Sequence, residues 1–131
     1  MSTENSQYIT LNDLQVYQLS RELSSSAWEI YQSLEKDLKW GIGQQFIQSV
    51  DSIGANVAEG YGRFHYLDKV RFYYQARGSY FESMEHWLEL LLERKLIEQE
   101  VFDKLKKIGK ELQIKLNLLV KATIKAKEKS S

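Results

Sequence analysis

Residues 45–63 read QFIQSVDSIGANVAEGYGR, and this stretch decides the fold class. Its large apolar side chains recur every three or four residues, at Phe46, Val50, Ile53 and Val57. That spacing is typical of one face of an α-helix. The glycines at 60 and 62 favour a helix C-terminus. The stretch therefore predicts an amphipathic helix that ends near residue 62.

The same spacing predicts three further helices. The first covers residues 10–37, starts with capping-box chemistry at Thr10 and Asp13, and leads into a turn at residues 40–43. The third begins at Asp68 and ends near residue 95, and the fourth runs from about residue 98 to 127. Their apolar stripes are Val16, Leu19, Leu23, Ala27, Ile30 and Leu34; Val70, Tyr74, Phe81, Met84, Leu88 and Leu91; and Val101, Leu105, Ile108, Leu112, Leu116 and Leu119.

Four long helices joined by short turns predict an all-α protein, an antiparallel up-down four-helix bundle. No useful strand-like alternation accompanies them. We expect one domain over residues 10–127, with a flexible N-terminus at 1–9 and a disordered tail at 128–131. Polar first residues and the lack of cysteine or a membrane-length apolar run favour a cytoplasmic protein without membrane association.

The formal charge of zero hides an uneven distribution. Residues 1–102 carry a surplus of acidic side chains, and residues 103–131 carry nine lysines against three acidic residues. Lys107, Lys110, Lys121 and Lys125 fall within about 60° of one another on a helical wheel. This stripe is either an ordinary solvated face or a phosphate-binding surface, through which RNA would bind without sequence specificity.

Helix three carries a second apolar set beside its predicted core stripe, at Phe72, Ala76, Tyr80, Ser83, Trp87 and Leu90. The first helix shows a similar excess at Tyr17, Trp28 and Tyr31. One bundle core needs only about a third of each helix surface. The excess indicates either a wide core in a monomer or a subunit interface. We favour an interface with Phe72, Tyr80 and Trp87 as its anchors, because large exposed aromatic patches are rare on monomers.

Several polar residues interrupt the apolar patterns. Asn56, Glu59 and Arg63 share one face of the second helix, and Arg77 lies on the predicted apolar stripe of the third. A charge on a core stripe needs a partner, so we expect Arg77 to pair with Glu59 or Glu82. Gly78 in mid-helix predicts the close approach of another helix. We interpret these residues, with Ser79, as a structural network in preference to a ligand or catalytic site.

Enzyme chemistry has little support in the sequence. The chain has two histidines, at 65 and 86, and neither completes the Glu-x-x-His pairs of di-iron bundles. No Gly-x-Ser-x-Gly nucleophile elbow is present. We therefore predict no metal site, no cofactor and no catalytic activity.

Three segments carry a family resemblance. Residues 45–63, residues 72–82 (FYYQARGSYFE) and, more loosely, residues 14–20 (LQVYQLS) match spaced motifs. The chain thereby resembles the bacterial four-helix-bundle proteins of the 23S rRNA intervening-sequence type, also called S23 ribosomal proteins, from about Leu14 to Ile97. Gly54 stands where that family usually has proline. The matched motif positions are Asn56, Glu59, Gly60, Arg63, Arg77, Gly78, Ser79 and Glu82.

The resemblance implies a non-enzymatic bundle that assembles as a ring-like homopentamer. Related proteins are encoded within insertions of bacterial large-subunit rRNA genes, and others resemble accessory proteins that work with a reverse transcriptase. We accordingly predict a homo-oligomer that binds RNA or a nucleoprotein partner through its basic surface. The alternative is a scaffold protein that binds another protein without contacting nucleic acid.

Overall fold

The computed structural model describes residues 10–130, and four long helices account for most of them. Within this part of the chain there is no strand, so the predicted all-α class is confirmed. Helix two and helix three are each built from three consecutive segments. The middle segment is kinked in helix two and is a wide, π-helical turn in helix three. The bounds are Gln15–Ser33 for helix one; Lys36–Leu38, Lys39–Gly43 and Gln44–Gly62 for helix two; Tyr66–Tyr80, Phe81–Trp87 and Leu88–Glu93 for helix three; and Gln99–Ser130 for helix four.

The helices pack as a bundle around one apolar core. Helix one contacts helices two and four, and helix three contacts the same two helices from the other side. The largest fully buried side chains come from all four helices and include Leu23, Phe46, Tyr73, Met84 and Leu112. Burial of such side chains is the main favourable contribution to folding.

The capping box at Thr10 is present but closes a separate turn. Asp13 Oδ2 accepts hydrogen bonds from the Thr10 backbone N–H at 3.3 Å and from Thr10 Oγ1 at 2.9 Å. These bonds stabilise the 3₁₀ turn Leu11–Asp13, and helix one begins only after the extended residue Leu14. The predicted flexible segment 1–9 lies outside the described residues.

The break predicted at residues 40–43 is present as a kink at Gly41, but helix one already ends before it. The chain leaves helix one at Leu34 and Glu35, which have extended backbone with ψ of 149° and 155°. Residues 40–43 lie within a helical segment that is kinked at Gly41, where φ is −104° and ψ is −107°. A Cβ at Gly43 would lie 2.9 Å from Leu34 Cδ1. Gly43 therefore makes room for the Leu34 side chain.

The predicted core face of helix three is also displaced. Tyr74 and Phe81, placed in the core by the sequence, are 50% and 42% exposed. Ala76, Tyr80 and Ser83, assigned to a second stripe, are at most 3% exposed. The true core face lies between the two predicted stripes. Tyr80 is consequently a core residue, and its prediction as a subunit-interface anchor is wrong.

Helices three and four are joined by a Schellman-type C-terminus. The backbone N–H of Leu96 donates to Leu91 O and that of Lys95 to Leu92 O, both at 2.9 Å. Lys95 has a φ of 59° and occupies the position at which glycine is usual. Helix four then continues to Ser130, so residues 128–130 of the predicted disordered tail are helical.

Helices two and three approach each other closely at Gly60. A Cβ at Gly60 would lie 2.7 Å from Tyr73 Cε1 and 3.0 Å from the Lys69 carbonyl oxygen. Tyr73 is 1% exposed, so its ring cannot move into solvent without opening the core. The absence of a side chain at Gly60 thus allows the Tyr73 ring to pack against the backbone of helix two.

We expect Gly60→Ala to lower the free energy of unfolding by about 1–3 kcal/mol, because the added methyl group overpacks the contact with Tyr73. Urea denaturation measures the change. Gly62→Ala is the matched control, since a Cβ there meets nothing within 4 Å. Equal stability of the two variants would contradict the packing described for Tyr73.

Candidate functional site

The motif residues of helices two and three form a short hydrogen-bond bridge. Ser52 Oγ and Ser79 Oγ lie 2.9 Å apart across the two helices. Asn56 Nδ2 donates to the Ser52 carbonyl oxygen at 2.9 Å and to Ser52 Oγ at 3.1 Å. Ser83 Oγ donates to the Ser79 carbonyl oxygen at 2.8 Å. This part of the motif therefore joins two helices and offers no free reactive group.

A second group of motif residues lies at the end of helix two. Glu59 and Arg63 form an ion pair of 2.9 Å in which both side chains are substantially exposed. The guanidinium carbons of Arg63 and Arg71 lie 4.7 Å and 4.5 Å from the centroid of the Phe72 ring. Such cation–π contacts are typical of weak surface stabilisation and of aromatic ligand sites. Phe72 is consequently covered by two cations of its own chain.

The prediction of an ion pair for Arg77 is wrong. The side chain is exposed, and within residues 10–130 no carboxylate pairs with it. Its guanidinium carbon lies 5.7 Å from the centroid of the exposed Phe81 ring. The corrected helical phase explains the difference, because it turns Arg77 from the core towards solvent. Glu82, the other expected partner, instead accepts a hydrogen bond of 3.0 Å from Trp87 Nε1.

Among residues 10–130, the close helix approach predicted at Gly78 is not found. A Cβ at this position would meet nothing within 4 Å. Gly78 is exposed, and the exposed rings of Tyr74 and Phe81 precede and follow it on the same face of helix three. No packing among the described residues explains why glycine occupies this helical position.

Lys106 connects helix four to helix three. Its Nζ lies 2.8 Å from Glu89 Oε2 and 3.3 Å from Glu85 Oε2. Burial lowers the pKa of Lys106, but hydrogen bonds to Glu89 and Glu85 outweigh burial, and the pKa is raised overall. Lys106 is therefore the lysine of the basic segment that neutralises acidic residues of helix three.

The lysines predicted to contact nucleic acid point away from the bundle. Lys107, Lys110, Lys121 and Lys125 are all exposed, and none forms an ion pair with another described residue. Two exposed aliphatic side chains lie between the two pairs of lysines on this face, at Ile114 and Leu118, which are 53% and 54% exposed. This face of helix four thus has one pair of lysines at each end and two exposed aliphatic side chains between the pairs.

The predicted interface aromatics that remain at the surface are partly covered. Phe72 and Trp87 are half-buried and engage their own chain through the arginines and Glu82. Trp28 is more accessible, at 48%, and its ring stacks on Tyr31 with centroids 5.2 Å apart. Trp28 therefore presents a more open indole than Trp87 does, and Trp40 is more open still, at 72%.

Two ionisable side chains near Gly60 have displaced pKa values. Burial, with a smaller contribution from Tyr61, raises the pKa of Tyr73 to about 12. Burial lowers the pKa of Lys69, whose Nζ donates a 2.7 Å hydrogen bond to the Tyr61 carbonyl oxygen. Tyr73 is accordingly neutral and buried at physiological pH, in keeping with a packing role.

Apart from the motif residues, residues 10–130 contain a cavity but neither a metal-ligand cluster nor a membrane-length apolar helix. Within that range no three His, Cys, Asp or Glu residues are grouped closely enough to hold a metal ion. None of the described helices has the length and apolar character needed to cross a bilayer. A cavity of 350 Å³ lies between helix one and the start of helix four, lined by Ser26, Ile30, Ile97 and Leu105 among others. None of the motif residues lines this cavity.

Some residues of these sites were missed by sequence reasoning. Ser52 precedes Asn56 by one helical turn, a spacing visible in the sequence, but its bond to Ser79 depends on how the two helices pack. Ile114 and Leu118 fall on the predicted lysine face, so counting apolar residues there would have found them. The pairing of Lys106 with Glu85 and Glu89 depends on how helix four is rotated about its axis, and the sequence does not show that rotation.

Comparison with known proteins supports the fold and identifies a family. The sequence profile described as 23S rRNA-intervening sequence protein matches residues 12–118. A crystal structure of a protein with unknown function, from the S23 ribosomal protein family of Bacteroides thetaiotaomicron VPI-5482, superposes with a TM-score of 0.75 at 24% sequence identity. The match covers 81% of this chain and 98% of that protein. Among curated protein sequences, none matches this chain.

Proposed function

The chain belongs to the 23S rRNA-intervening sequence protein family, and from this premise we propose that it is a non-enzymatic, homo-oligomeric RNA-binding protein. The RNA-binding surface is the outward face of helix four. The observation that carries the proposal is the set of four exposed lysines at 107, 110, 121 and 125, which lack an ion pair within residues 10–130. Lysines without protein partners are available to replace the counterions of a phosphate backbone.

The charge distribution supports the same surface. The sequence as a whole is neutral, so long-range attraction to a polyanion is weak unless one face is basic. Lys106 forms ion pairs with Glu85 and Glu89. These two carboxylates therefore do not compete with phosphates for the exposed lysines. Lys110 and Lys121 are separated by eleven residues, or roughly 16 Å along the helix at ~1.5 Å per residue. The two lysine pairs would contact phosphates at two places on one strand.

A second candidate function is a scaffold that binds an acidic protein partner. Ile114 and Leu118 favour it, because a phosphate backbone has no apolar group that these exposed aliphatic side chains could contact. An amphipathic acidic helix would place apolar residues on these two side chains and carboxylates on the lysines. A nuclease-treated pull-down that recovers a partner, lost in Leu118→Ser, distinguishes this function from RNA binding.

Self-association is the second part of the proposal. The family resemblance implies a ring-like homopentamer, and the short connections between helices support an antiparallel up-down arrangement in each subunit. Trp28 is the most suitable anchor, since an exposed indole stacked on Tyr31 offers a large flat contact. Phe72 and Trp87 contribute less in this proposal, because groups of the same chain already contact them.

We expect Lys107→Gln/Lys110→Gln and Lys121→Gln/Lys125→Gln each to weaken binding of a short single-stranded RNA. The slope of log affinity against log salt should fall in magnitude by about 1.4 for each pair, because two phosphate contacts are lost. Fluorescence anisotropy between about 50 and 200 mM salt measures both quantities. Lys36→Gln/Lys95→Gln removes the same charge from two exposed lysines elsewhere and should leave the slope unchanged. RNA binding that is absent at low salt would refute the proposal.

We expect the wild-type chain to give the mass of an oligomer in light scattering, and Trp28→Ser to reduce that mass. The reason is loss of the largest exposed contact on helix one. Phe64→Ser is the control, because Phe64 is 88% exposed but lies beyond the far end of helix two. A wild-type mass equal to one chain, or an unchanged oligomer in Trp28→Ser, would contradict this part of the proposal.

A further inference from the structure

The outward face of helix three carries two exposed aromatic rings on either side of a bare backbone. Tyr74 and Phe81 are 50% and 42% exposed and lie two helical turns apart. Gly78 lies between them, and nothing approaches within 4 Å of the place where its Cβ would be. Glycine is a poor helix former, and no contact from the part of the chain that the structure describes requires it here. The missing side chain is most simply explained by a group that binds from outside.

The dimensions of this face suit a flat ligand. Tyr74 and Phe81 are separated by roughly 10.5 Å along the helix at ~1.5 Å per residue. The backbone at Gly78 forms the floor between the two rings. Two stacked planar groups, at about 3.4 Å per layer, fit between the two rings with their edges on this floor. A side chain at position 78 would occupy the same space.

The charges around the face suit an anionic ligand. Arg77 lies over the Phe81 ring at 5.7 Å and has no carboxylate partner within residues 10–130. Arg71, one turn before Tyr74, is 4.0 Å from Asp68 and lies mainly over Phe72. Aromatic rings combined with arginines match the bases and phosphates of a nucleic acid strand. An apolar helix docked here would bury Arg77 without supplying a carboxylate.

We infer that Tyr74, Gly78 and Phe81 form a stacking site for bases of single-stranded RNA, with Arg77 contacting an adjacent phosphate. The inference rests on the proposed RNA-binding function and narrows its substrate to unpaired strands. In a duplex, the faces of the bases are covered by their neighbours, so a side-chain ring cannot reach them. The lysines of helix four contact the phosphates of single-stranded and duplex RNA alike. The stacking site on helix three favours single-stranded RNA.

Two variants test the site. Gly78→Gln places a long side chain over the floor, and Tyr74→Ser removes one ring; both positions are exposed. Each should lower affinity for single-stranded RNA about tenfold, leave affinity for a duplex of the same sequence unchanged, and preserve the salt slope. The unfolding midpoint of Gly78→Gln should not fall, because glutamine is the better helix former. Gly62→Gln is the control at another open glycine and should bind as the wild type does.

The outcomes separate this inference from the proposed function. Unchanged affinity of both variants for the single strand, together with a lysine-dependent salt slope, would overturn the stacking site and leave the proposed function standing. Absence of RNA binding by the wild-type chain at low salt would overturn both. A reduced oligomer mass in Gly78→Gln would assign this face to a second copy of the chain, and would likewise overturn the stacking site.

Discussion

The contact between Tyr73 and the backbone at Gly60 determines how the outer surface of the protein is arranged. Tyr73 is almost fully buried, and its ring occupies the space that a side chain at position 60 would fill. Since neighbouring helical residues differ by about 100° in direction, fixing Tyr73 inward turns Tyr74 outward. The bridge between Ser52 and Ser79 fixes the same pair of helices about two turns away. The exposed face of helix three follows from these two contacts.

The two ion pairs of Lys106 determine which face of helix four points to solvent. Lys106 reaches back to Glu85 and Glu89, and the next residue along, Lys107, consequently points to solvent. Lys106 itself is about three-quarters covered, so its ion pairs are less screened than those of a fully exposed lysine would be. The basic segment thereby uses Lys106 for packing and leaves Lys107, Lys110, Lys121 and Lys125 exposed. Neutrality of the whole sequence is compatible with a basic binding face.

The sequence was sufficient for the four helices because each has a long apolar repeat. The break at Leu34 and Glu35 could not be predicted, since neither residue is a glycine or proline and Leu34 continues the apolar repeat. The phase of helix three was misassigned because apolar residues flank its core face on both sides. That error exchanged the roles of Tyr80 and Tyr74, and it placed Arg77 in the core. The bridge between Ser52 and Ser79 depends on the packing of two helices, which no local pattern contains.

The central claim is that RNA binds across two outward faces, on helices three and four. Photochemical cross-linking of a bound single-stranded RNA, followed by mass spectrometry of the peptides, tests it most directly. We predict cross-linked peptides that contain Tyr74 or Phe81 and others from the segment 107–125, with none from helix one. Cross-links confined to helix one would contradict the account.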